Sequence, residues 1–143
     1  MRVRRAEPGD LDALAALAGQ LGYPSTPDEA SSRLRLLTAH PDLHAVYVAE
    51  VGDAVAGWVH VFVGARLESD PFAEIGGLVV DERHRGAGVG EALVREAERW
   101  ARGRGMAQLR VRSNVVRKRA HRFYEREGFE RLKEQVVFQK RLA

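Results

Sequence analysis

The fold of this chain is decided by one stretch, Leu78-Val79-Val80-Asp81-Glu82-Arg83-His84-Arg85-Gly86-Ala87-Gly88-Val89-Gly90. Three apolar residues typical of a strand lead into a short polar loop with glycines, and a helical pattern begins near Val89. Glycines at such a turn let backbone N–H groups approach a ligand with no Cβ in the way. The helix start adds unpaired N–H donors and the positive end of its dipole. The stretch therefore predicts an anion site of the kind that holds a pyrophosphate, with the charge of Arg85 at its mouth.

The spacing of the glycines excludes two common phosphate-binding motifs. A P-loop ends in Gly-Lys-Ser/Thr, whereas Gly90 is followed by Glu91-Ala92. The dinucleotide fingerprint requires Gly-x-Gly-x-x-Gly within the first βαβ unit, whereas the glycines here fall at positions 86, 88 and 90.

Working outward from this stretch, apolar periodicity and turn residues predict the order β-α-α-β-β-β-α-β-α-β. Thr26 and Glu29 form a capping-box pattern at one helix start, and Gly128 closes the last helix. We expect a mixed sheet flanked by helices, of α/β (α+β) class, in a single domain spanning residues 1–143. The predicted strands cover 3–6, 44–51, 54–63, 72–80, 107–112 and 129–142, the last as one or two strands, and the helices cover 11–21, 27–40, 89–104 and 117–126.

Composition narrows the function classes. The chain has no cysteine, which excludes disulfide scaffolds, thiol catalysis and Cys-based zinc sites, and its five histidines are scattered, so we expect no metal. No apolar run reaches the ~20 residues of a spanning helix, and no signal core follows the first residues, so we expect a cytoplasmic protein without a membrane partner. The net charge of +3 is carried mainly by arginine, which suits a polyphosphate-bearing ligand or nucleic acid. Interleaved acidic residues favour the polyphosphate ligand.

Two motifs carry a resemblance to a known family. Arg85-Gly86-Ala87-Gly88-Val89-Gly90 resembles the Arg/Gln-x-x-Gly-x-Gly/Ala acetyl-CoA loop of the GNAT superfamily of N-acetyltransferases. Ala120-His121-Arg122-Phe123-Tyr124-Glu125-Arg126-Glu127-Gly128-Phe129 resembles the Ala-x-x-x-Tyr-x-x-x-Gly-Phe motif that follows in that family, at an interval of one helix and one strand. The resemblance covers essentially the whole chain. It implies a mixed, mostly antiparallel sheet of about six or seven strands with about four helices, and acetyl-CoA as co-substrate.

The resemblance also implies a cofactor site. In the family, the backbone of the strand before the loop pairs with the pantetheine arm, and the sheet splays beside it to leave a slot for the thioester. Here the splay is expected between the strand ending at Val80 and the strand at 107–112. The residues expected to bind acetyl-CoA are Leu78, Val79, Val80, Arg85, Gly86, Ala87, Gly88, Val89, Gly90, Asn114 and Arg117.

Tyr124 and Glu74 are the expected catalytic residues. Tyr124 matches the family tyrosine that protonates the departing thiolate, although it is also readable as an aromatic on the core face of a helix. Glu74, on the strand that leads into the loop, is the candidate base for the acceptor ammonium, acting through water; otherwise it is a solvated strand residue. His60 and His121 are alternative bases by their usual pKa.

Asn114 and Arg117 depart from the family pattern. Many relatives carry an asparagine three residues before the motif alanine, where this chain has Arg117. Asn114 either bonds pantetheine or a water, or caps the following helix, and Arg117 either reaches a phosphate or lies in solvent.

The expected reaction is transfer of acetyl to a primary amine by direct attack in a ternary complex, since no cysteine is present to carry the acyl group. The acidic loop at 68–71 favours a small cationic amine, such as an aminoglycoside or polyamine, and residues 23–24 fall where relatives contact substrate. The alternatives are a protein or peptide amine, a non-catalytic acyl-CoA-sensing module, and nucleic-acid binding through the basic residues at 110–122. The family and the frequency of two-fold oligomers lead us to expect a homodimer.

Overall fold

The computed structural model describes all residues from 1 to 143. Capping residues define where its first two helices begin and end. The Thr26 hydroxyl accepts a hydrogen bond from the Glu29 N–H at 3.1 Å, and the Glu29 carboxylate accepts one from the Thr26 N–H at 2.9 Å. This reciprocal capping box opens the second helix. Gly22, with φ of +102°, ends the first helix in the left-handed conformation that favours glycine. Both boundaries agree with the sequence prediction.

The chain forms five strands and four α-helices. In chain order they are β1 (Arg2–Arg5), a 3-10 turn (Pro8–Asp10), α1 (Leu11–Leu21), α2 (Pro27–Thr38), β2 (His44–Val51), β3 (Ala54–Arg66), β4 (Ser69–Val80), a 3-10 turn (Glu82–His84), α3 (Val89–Gly103), β5 (Leu109–Val111) and α4 (Lys118–Arg126). Two compact units divide the chain, residues 1–112 and residues 113–143. The first holds the whole sheet and α1 to α3; the second holds α4. None of the helices is long and apolar enough to cross a membrane.

The sheet is mixed, with the strands in sequence order from β1 to β5. The pairs from β1 to β4 are antiparallel, whereas β5 lies parallel to β4. Parallel neighbours need a crossover connection, and α3 provides it. The crossover places the first turn of α3 directly after the carboxyl end of β4, which is where the glycine-rich stretch lies.

Two layers of helix cover the sheet. Leu14 of α1 and Leu34 of α2 pack with Val46 and Val48 of β2 on one face. The opposite face carries α3, whose fully buried residues include Val89, Leu93, Val94 and Ala97. Gly57 of β3 lets α3 come close, because a Cβ there would lie 3.2 Å from side-chain atoms of Val89 and Leu93.

The prediction of one or two strands at 129–142 is wrong. Residues 129–143 form neither helix nor strand, so the sheet has five strands rather than six or seven. Leu132, Val136, Val137, Phe138 and Leu142 are each at least 68% exposed. Alternation and β-branched residues favour an extended backbone, but a strand also requires a neighbouring strand to pair with. The sequence of residues 129–142 does not show whether such a neighbouring strand is available.

We expect Gly57→Ala to lower the free energy of unfolding by about 1–3 kcal/mol, because its Cβ would lie 2.7 Å from the Val79 carbonyl oxygen. Gly19→Ala is the matched control. Gly19 lies inside α1, and no atom of another element lies within 4 Å of the place that a methyl group would take, so alanine there should stabilise by up to about 1 kcal/mol. Urea unfolding of both variants measures the difference, and equal effects at the two positions would contradict the close approach at Gly57.

Candidate functional site

The unpaired edge of β4 is the main feature of the candidate site. Pairing of β5 with β4 covers only Ala73, Glu74 and Ile75, opposite residues 109–111. Strand β4 continues to Val80 and remains paired with β3 over that length, where Val59 faces Leu78 and Gly57 faces Val80. From residue 76 onward, the edge of β4 that faces β5 therefore lacks a strand partner. This is the splay expected from the sequence.

A bulge at Gly76 accompanies the parting of the two strands. The register between β3 and β4 shifts there, because His60 faces Gly77 while Val61 faces Ile75. A Cβ at Gly76 would lie 2.7 Å from Nδ1 of His60, so the strand passes directly over that ring. A bulge bends the strand that carries it and increases its twist. In the sequence, the glycine pair at 76–77 predicts either a bulge or a close approach of the backbone to a neighbouring group. The structure has both, the bulge at Gly76 and the close approach to His60.

The glycine loop (residues 81–88) leads from the open edge into α3. Gly86 and Gly88 have φ values of +81° and +82°, a conformation that a side chain would strain. Gly88 is the N-cap of α3 and provides no side-chain hydrogen bond, so the first-turn N–H groups have no side-chain partner. Arg85, Gly86 and Ala87 are exposed. Free amides, a helix dipole and an exposed guanidinium converge here, and they fit a pyrophosphate.

Asp81 and Gln20 hold the start of the glycine loop, and the sequence reasoning missed both. The Asp81 carboxylate is 4% exposed and accepts hydrogen bonds from the side chain and backbone of Arg83, which lower its pKa to about 2. The Gln20 carbonyl oxygen, at the end of α1, accepts a 3.0 Å hydrogen bond from the Glu82 N–H. Asp81 precedes a turn, which is a usual capping position, but no sequence signal marks Gln20.

Glu74 is a buried carboxylate on β4, with 8% of its surface exposed. The Arg112 Nε donates to both carboxylate oxygens at 3.2 Å. The Arg112 guanidinium supplies the counter-charge for this buried carboxylate. The burial of Glu74 excludes the alternative that it is a solvated strand residue. Its pairing with Arg112, 38 residues away, was not predicted from the sequence.

His60 and His44 form a stacked pair on β3 and β2. His44 Nδ1 and His60 Nε2 share a hydrogen bond of 3.0 Å, and the ring centroids are 5.2 Å apart. Phe62 packs against the His60 ring at 5.4 Å. Burial, and then the neighbouring His44, lower the pKa of His60 to about 4. His60 is therefore a neutral imidazole at physiological pH, and its hydrogen bond with His44 fixes the position of its ring.

Tyr124 belongs to the second unit, on α4. Its ring makes edge-to-face contacts with Phe123 at 5.3 Å and Phe129 at 5.5 Å. Gly128 ends the helix with φ of +93°, and the Phe129 N–H donates to the Tyr124 carbonyl, which fixes the tyrosine in the last turns. Burial raises the pKa of the Tyr124 phenol, and the charge of Arg117 acts against that rise. The phenol is therefore protonated at neutral pH and can donate a proton.

Asn114 and Arg117 lie just before α4 and are both exposed. The Asn114 side-chain oxygen accepts a hydrogen bond from the Val116 N–H at 3.1 Å, so it stabilises a turn rather than the helix start. The helix begins at Lys118 with Arg117 as N-cap. The Asn114 carbonyl accepts from His121 Nε2 at 2.9 Å, which assigns the proton to that nitrogen.

Glu68, in the turn between β3 and β4, and Asp70, at the start of β4, are both exposed. Tyr23 is 69% exposed after α1. Arg110 stacks on the Phe72 ring with its guanidinium carbon 4.1 Å from the centroid. No group of three or more His, Asp or Glu side chains is arranged to hold a metal ion.

The sequence matches a known protein family over most of its length. The model of the acetyltransferase (GNAT) family matches residues 12–129, which include the open edge, the glycine loop and Tyr124. The chain belongs to the GNAT family. The match also spans both compact units, so the GNAT domain includes α4 as well as the sheet.

Individual relatives are similar to this GNAT domain over different lengths. A probable N-acetyltransferase family 8 member 5 from Mus musculus is 32% identical over 108 residues, which are 73% of this chain but only 45% of the mouse protein. The chain thus spans less than half the length of that relative. A putative phosphinothricin acetyltransferase, YwnH, from Bacillus subtilis is 30% identical over 141 residues, covering 90% of this chain and 83% of YwnH.

A solved structure shares the fold over its full length. The aminoglycoside antibiotic 6'-N-acetyltransferase from Acinetobacter haemolyticus superposes with a TM-score of 0.86 and covers 100% of both chains. Its sequence is 18% identical, so the similarity concerns the fold. The GNAT fold expected from the two motifs is confirmed, although the sheet here has fewer strands than predicted.

We expect the stability of the protein to fall between about pH 6.5 and about pH 4 in part through His60. The unfolded chain takes up this proton near pH 6.5, whereas the folded chain does so only near 4. The unfolded state therefore binds more protons in this window, and acidification favours unfolding. Urea unfolding at several pH values should show a shallower fall for His60→Gln than for the native chain. Parallel pH curves for the two proteins would rule out this contribution.

Proposed function

We propose that this chain is an acetyl-CoA-dependent N-acetyltransferase that transfers acetyl to a primary amine by direct attack within a ternary complex. The observation that carries the proposal is the continuity of three features: the unpaired edge of β4, the glycine loop and the N-terminus of α3 without a side-chain cap. An extended arm with amide groups ending in phosphates has the chemistry to occupy all three. Membership of the GNAT family supports acetyl-CoA as that molecule.

The acetyl-CoA molecule would be held mainly by backbone. Leu78 and Val80 would exchange hydrogen bonds with the pantetheine amides, as an added strand does, with Val79 between them. The N–H groups at Gly86, Gly88 and the first turn of α3 would bind the pyrophosphate, with Arg85 as counter-charge. Arg117 and Asn114 are the proposed further contacts from the second unit. The Val89 side chain is 1% exposed, so we propose that it fixes the start of α3 by its burial and does not contact the cofactor.

The proposed transfer balances without any covalent enzyme intermediate. The acceptor ammonium first loses one proton to a base. Its neutral nitrogen then attacks the acetyl carbonyl carbon, forming a C–N bond as the C–S bond breaks, and loses a second proton to solvent. The departing CoA thiolate takes a proton from Tyr124, whose phenolate regains one from solvent. The chain contains no cysteine to carry the acetyl group, so attack by the acceptor itself is the direct route.

Tyr124 is suited to the acid role because its phenol is protonated at neutral pH. Burial raises its pKa, which keeps the proton available until the thiolate forms. The aromatic contacts with Phe123 and Phe129 restrict the ring, so the hydroxyl is presented in one orientation. A proton donor that is already oriented loses less conformational freedom in the transition state, which lowers the barrier.

Glu74 is the proposed base, acting on the acceptor ammonium through a water molecule. It lies on β4 among the last residues that pair with β5, just before the edge becomes free. The two hydrogen bonds from Arg112 orient the carboxylate, which would accept a proton relayed by water.

The proposed acceptor is a small cationic amine of aminoglycoside or polyamine type. The name of the relative YwnH, a putative phosphinothricin acetyltransferase, supports a small-molecule acceptor. The exposed Glu68 and Asp70 would attract a cation to the end of β4 that lies opposite the glycine loop. The alternatives are a protein or peptide amine and an acyl-CoA-sensing module without turnover.

We expect thioester consumption from acetyl-CoA with at least one member of a panel of aminoglycosides, polyamines, amino acids and peptides. A thiol reagent reads out released CoA without background, because the enzyme has no cysteine. Tyr124→Phe should lower kcat about a hundredfold while the KM for acetyl-CoA changes little. Tyr47→Phe, which removes a phenolic hydroxyl from β2, is the control and should retain full activity.

The outcomes of this assay separate the alternatives. Acetyl-CoA binding by calorimetry with no turnover on any acceptor would favour the sensing module. Turnover on peptides alone would replace the small-amine assignment. Parallel double-reciprocal lines would contradict the ternary complex, since they indicate a covalent acyl-enzyme.

We expect Glu74→Gln to lower kcat/KM by about a hundredfold, because an amide cannot take the proton of the acceptor ammonium. Glu98→Gln is the matched control, because Glu98 is also a carboxylate paired with an arginine, on α3. Steady-state rates of the two variants and of the native chain make the comparison. A Glu74→Gln enzyme that keeps its kcat/KM and loses only stability would make Glu74 a structural partner of Arg112.

A further inference from the structure

Arg110 on β5 packs into the protein without an acidic partner. Only two of the arginines are half-buried, Arg4 and Arg110. Arg4 is bound to Asp10 by two nitrogen atoms at 2.8 Å and also pairs with Glu50. Arg110 makes no such ion pair, and its Nε is buried with no hydrogen-bond partner. A buried donor without a partner costs free energy, and a ligand, an ion or a water molecule is its usual explanation.

The ring of Phe72 holds the Arg110 guanidinium in place. The guanidinium carbon lies 4.1 Å from the ring centroid, and Phe72 is 3% exposed. A guanidinium stacked on an aromatic ring has a fixed orientation, so its fork of donors loses little freedom when it binds an anion. Arg66 of β3 approaches the same ring, with its guanidinium carbon 5.8 Å from the centroid. Two positive charges therefore meet at one buried ring, and an anion between them would relieve their repulsion.

These groups lie on the same face of the sheet as Glu74. Phe72 and Glu74 are two residues apart on β4, so their side chains point to one face. Arg110 is the residue opposite Glu74 in the pairing of β5 with β4, and its contact with Phe72 places it on that face too. Two residues along a strand span about 7 Å. A small molecule with one group at Glu74 therefore reaches the arginines at Phe72 with another.

The unpaired charges around this end of β4 are of both signs. Glu74 already has Arg112 as its counter-charge at 3.2 Å. Glu68 and Asp70 are exposed nearby, and neither forms an ion pair with Arg66 or Arg110. An acceptor with ammonium groups alone would meet the two arginines as like charges, which is unfavourable. An acceptor with both an ammonium and an acidic group complements all of these charges.

We propose that the acceptor is a zwitterion, a small amine with a carboxylate or phosphonate group that Arg110 and Arg66 bind while the amine lies at Glu74. The planar guanidinium fork matches the oxygen atoms of such a group. This inference rests on the proposed acetyl transfer and refines its acceptor. It keeps the small amine and adds an acidic group, so polyamines and aminoglycosides, which carry only positive groups, become the poorer acceptors. The transfer step is unchanged, and the acidic group takes no part in it.

The first experiment compares acceptors that differ only in the acidic group. Ornithine against putrescine, and 3-aminopropylphosphonate against propylamine, are two such pairs. At saturating acetyl-CoA, the acidic member of each pair should have a kcat/KM about tenfold higher, because hydrogen bonds between charged partners are stronger than neutral ones. Equal values within both pairs, or higher values for the amines without an acidic group, would overturn the proposal.

The second experiment tests the arginine that binds the acidic group. Arg110→Gln should lower kcat/KM for ornithine about thirtyfold more than that for putrescine, mainly through KM. Arg110→Lys keeps the charge without the fork and should recover part of the loss. Arg35→Gln is the matched control, since Arg35 is an exposed arginine on α2, and should behave as the native chain with both acceptors. Equal losses with ornithine and putrescine in Arg110→Gln would make Arg110 a structural residue only.

The third experiment observes the anion site without turnover. The Arg110 Nε–H is buried, so it should exchange slowly and give a signal in a nitrogen–proton correlation spectrum, assigned by its absence from that of Arg110→Lys. 3-Aminopropylphosphonate should shift this signal, whereas propylamine at the same concentration should not. The Arg4 Nε–H is the internal reference and should stay in place, because Glu50 already accepts its hydrogen bond. An Arg110 signal that the phosphonate leaves unmoved contradicts the proposal.

The rates and the spectra together separate this proposal from the proposed function. If no acceptor is acetylated but the phosphonate shifts the Arg110 signal, the acetyltransferase assignment fails and the anion site stands. If acetyl transfer proceeds equally with both members of each pair and the signal does not move, the acetyltransferase stands and the zwitterionic acceptor fails.

Discussion

The parting of β4 from β5 after Ile75 is the constraint on which the candidate site depends. Backbone N–H and C=O groups that are removed from water must find partners, and most strands inside a sheet find them on both sides. Strand β4 has partners on both sides at residues 73–75 and on one side only from Gly76 to Val80. The second half of the strand therefore has free backbone N–H and C=O groups, which an extended ligand with amide groups could pair with.

Small residues make this geometry possible. Gly76 and Gly77 allow β4 to pass within contact distance of His60 and Trp58, where a Cβ would lie 2.7 Å and 2.9 Å from ring atoms. Gly57 allows α3 to pack against β3, which fixes the position of the helix N-terminus at the end of the open edge. The glycine loop is then held by Asp81 and by Gln20 of α1. The amides that we propose to bind the pyrophosphate are therefore positioned by contacts from separate elements as well as by the loop itself.

The first unit buries three carboxylates, and each of them is paired with an arginine. Asp10 is bound by two nitrogen atoms of Arg4 at 2.8 Å, Asp81 by Arg83, and Glu74 by Arg112. Removing one partner of such a pair leaves an uncompensated buried charge, which is costly. The first two pairs fix local structure at β1 and at the glycine loop. The third lies beside the free edge, which is why Glu74 is the carboxylate that we propose as the base.

Local chemistry in the sequence determined most of the elements and the two family motifs. Capping at Thr26, the left-handed glycines at 22, 86, 88 and 128, and the apolar stripe of α3 act within a few residues, so they are readable from the chain alone. The glycine loop was found in this way, and Tyr124 through the resemblance of its motif to that of the GNAT family. Tertiary structure alone decided the partners of Glu74 and Glu82, which are 38 and 62 residues distant, and the burial of Glu74. It also decided that residues 129–143 do not pair within the chain as strands, because β-propensity describes a residue's preference for an extended backbone and not the presence of a neighbouring edge.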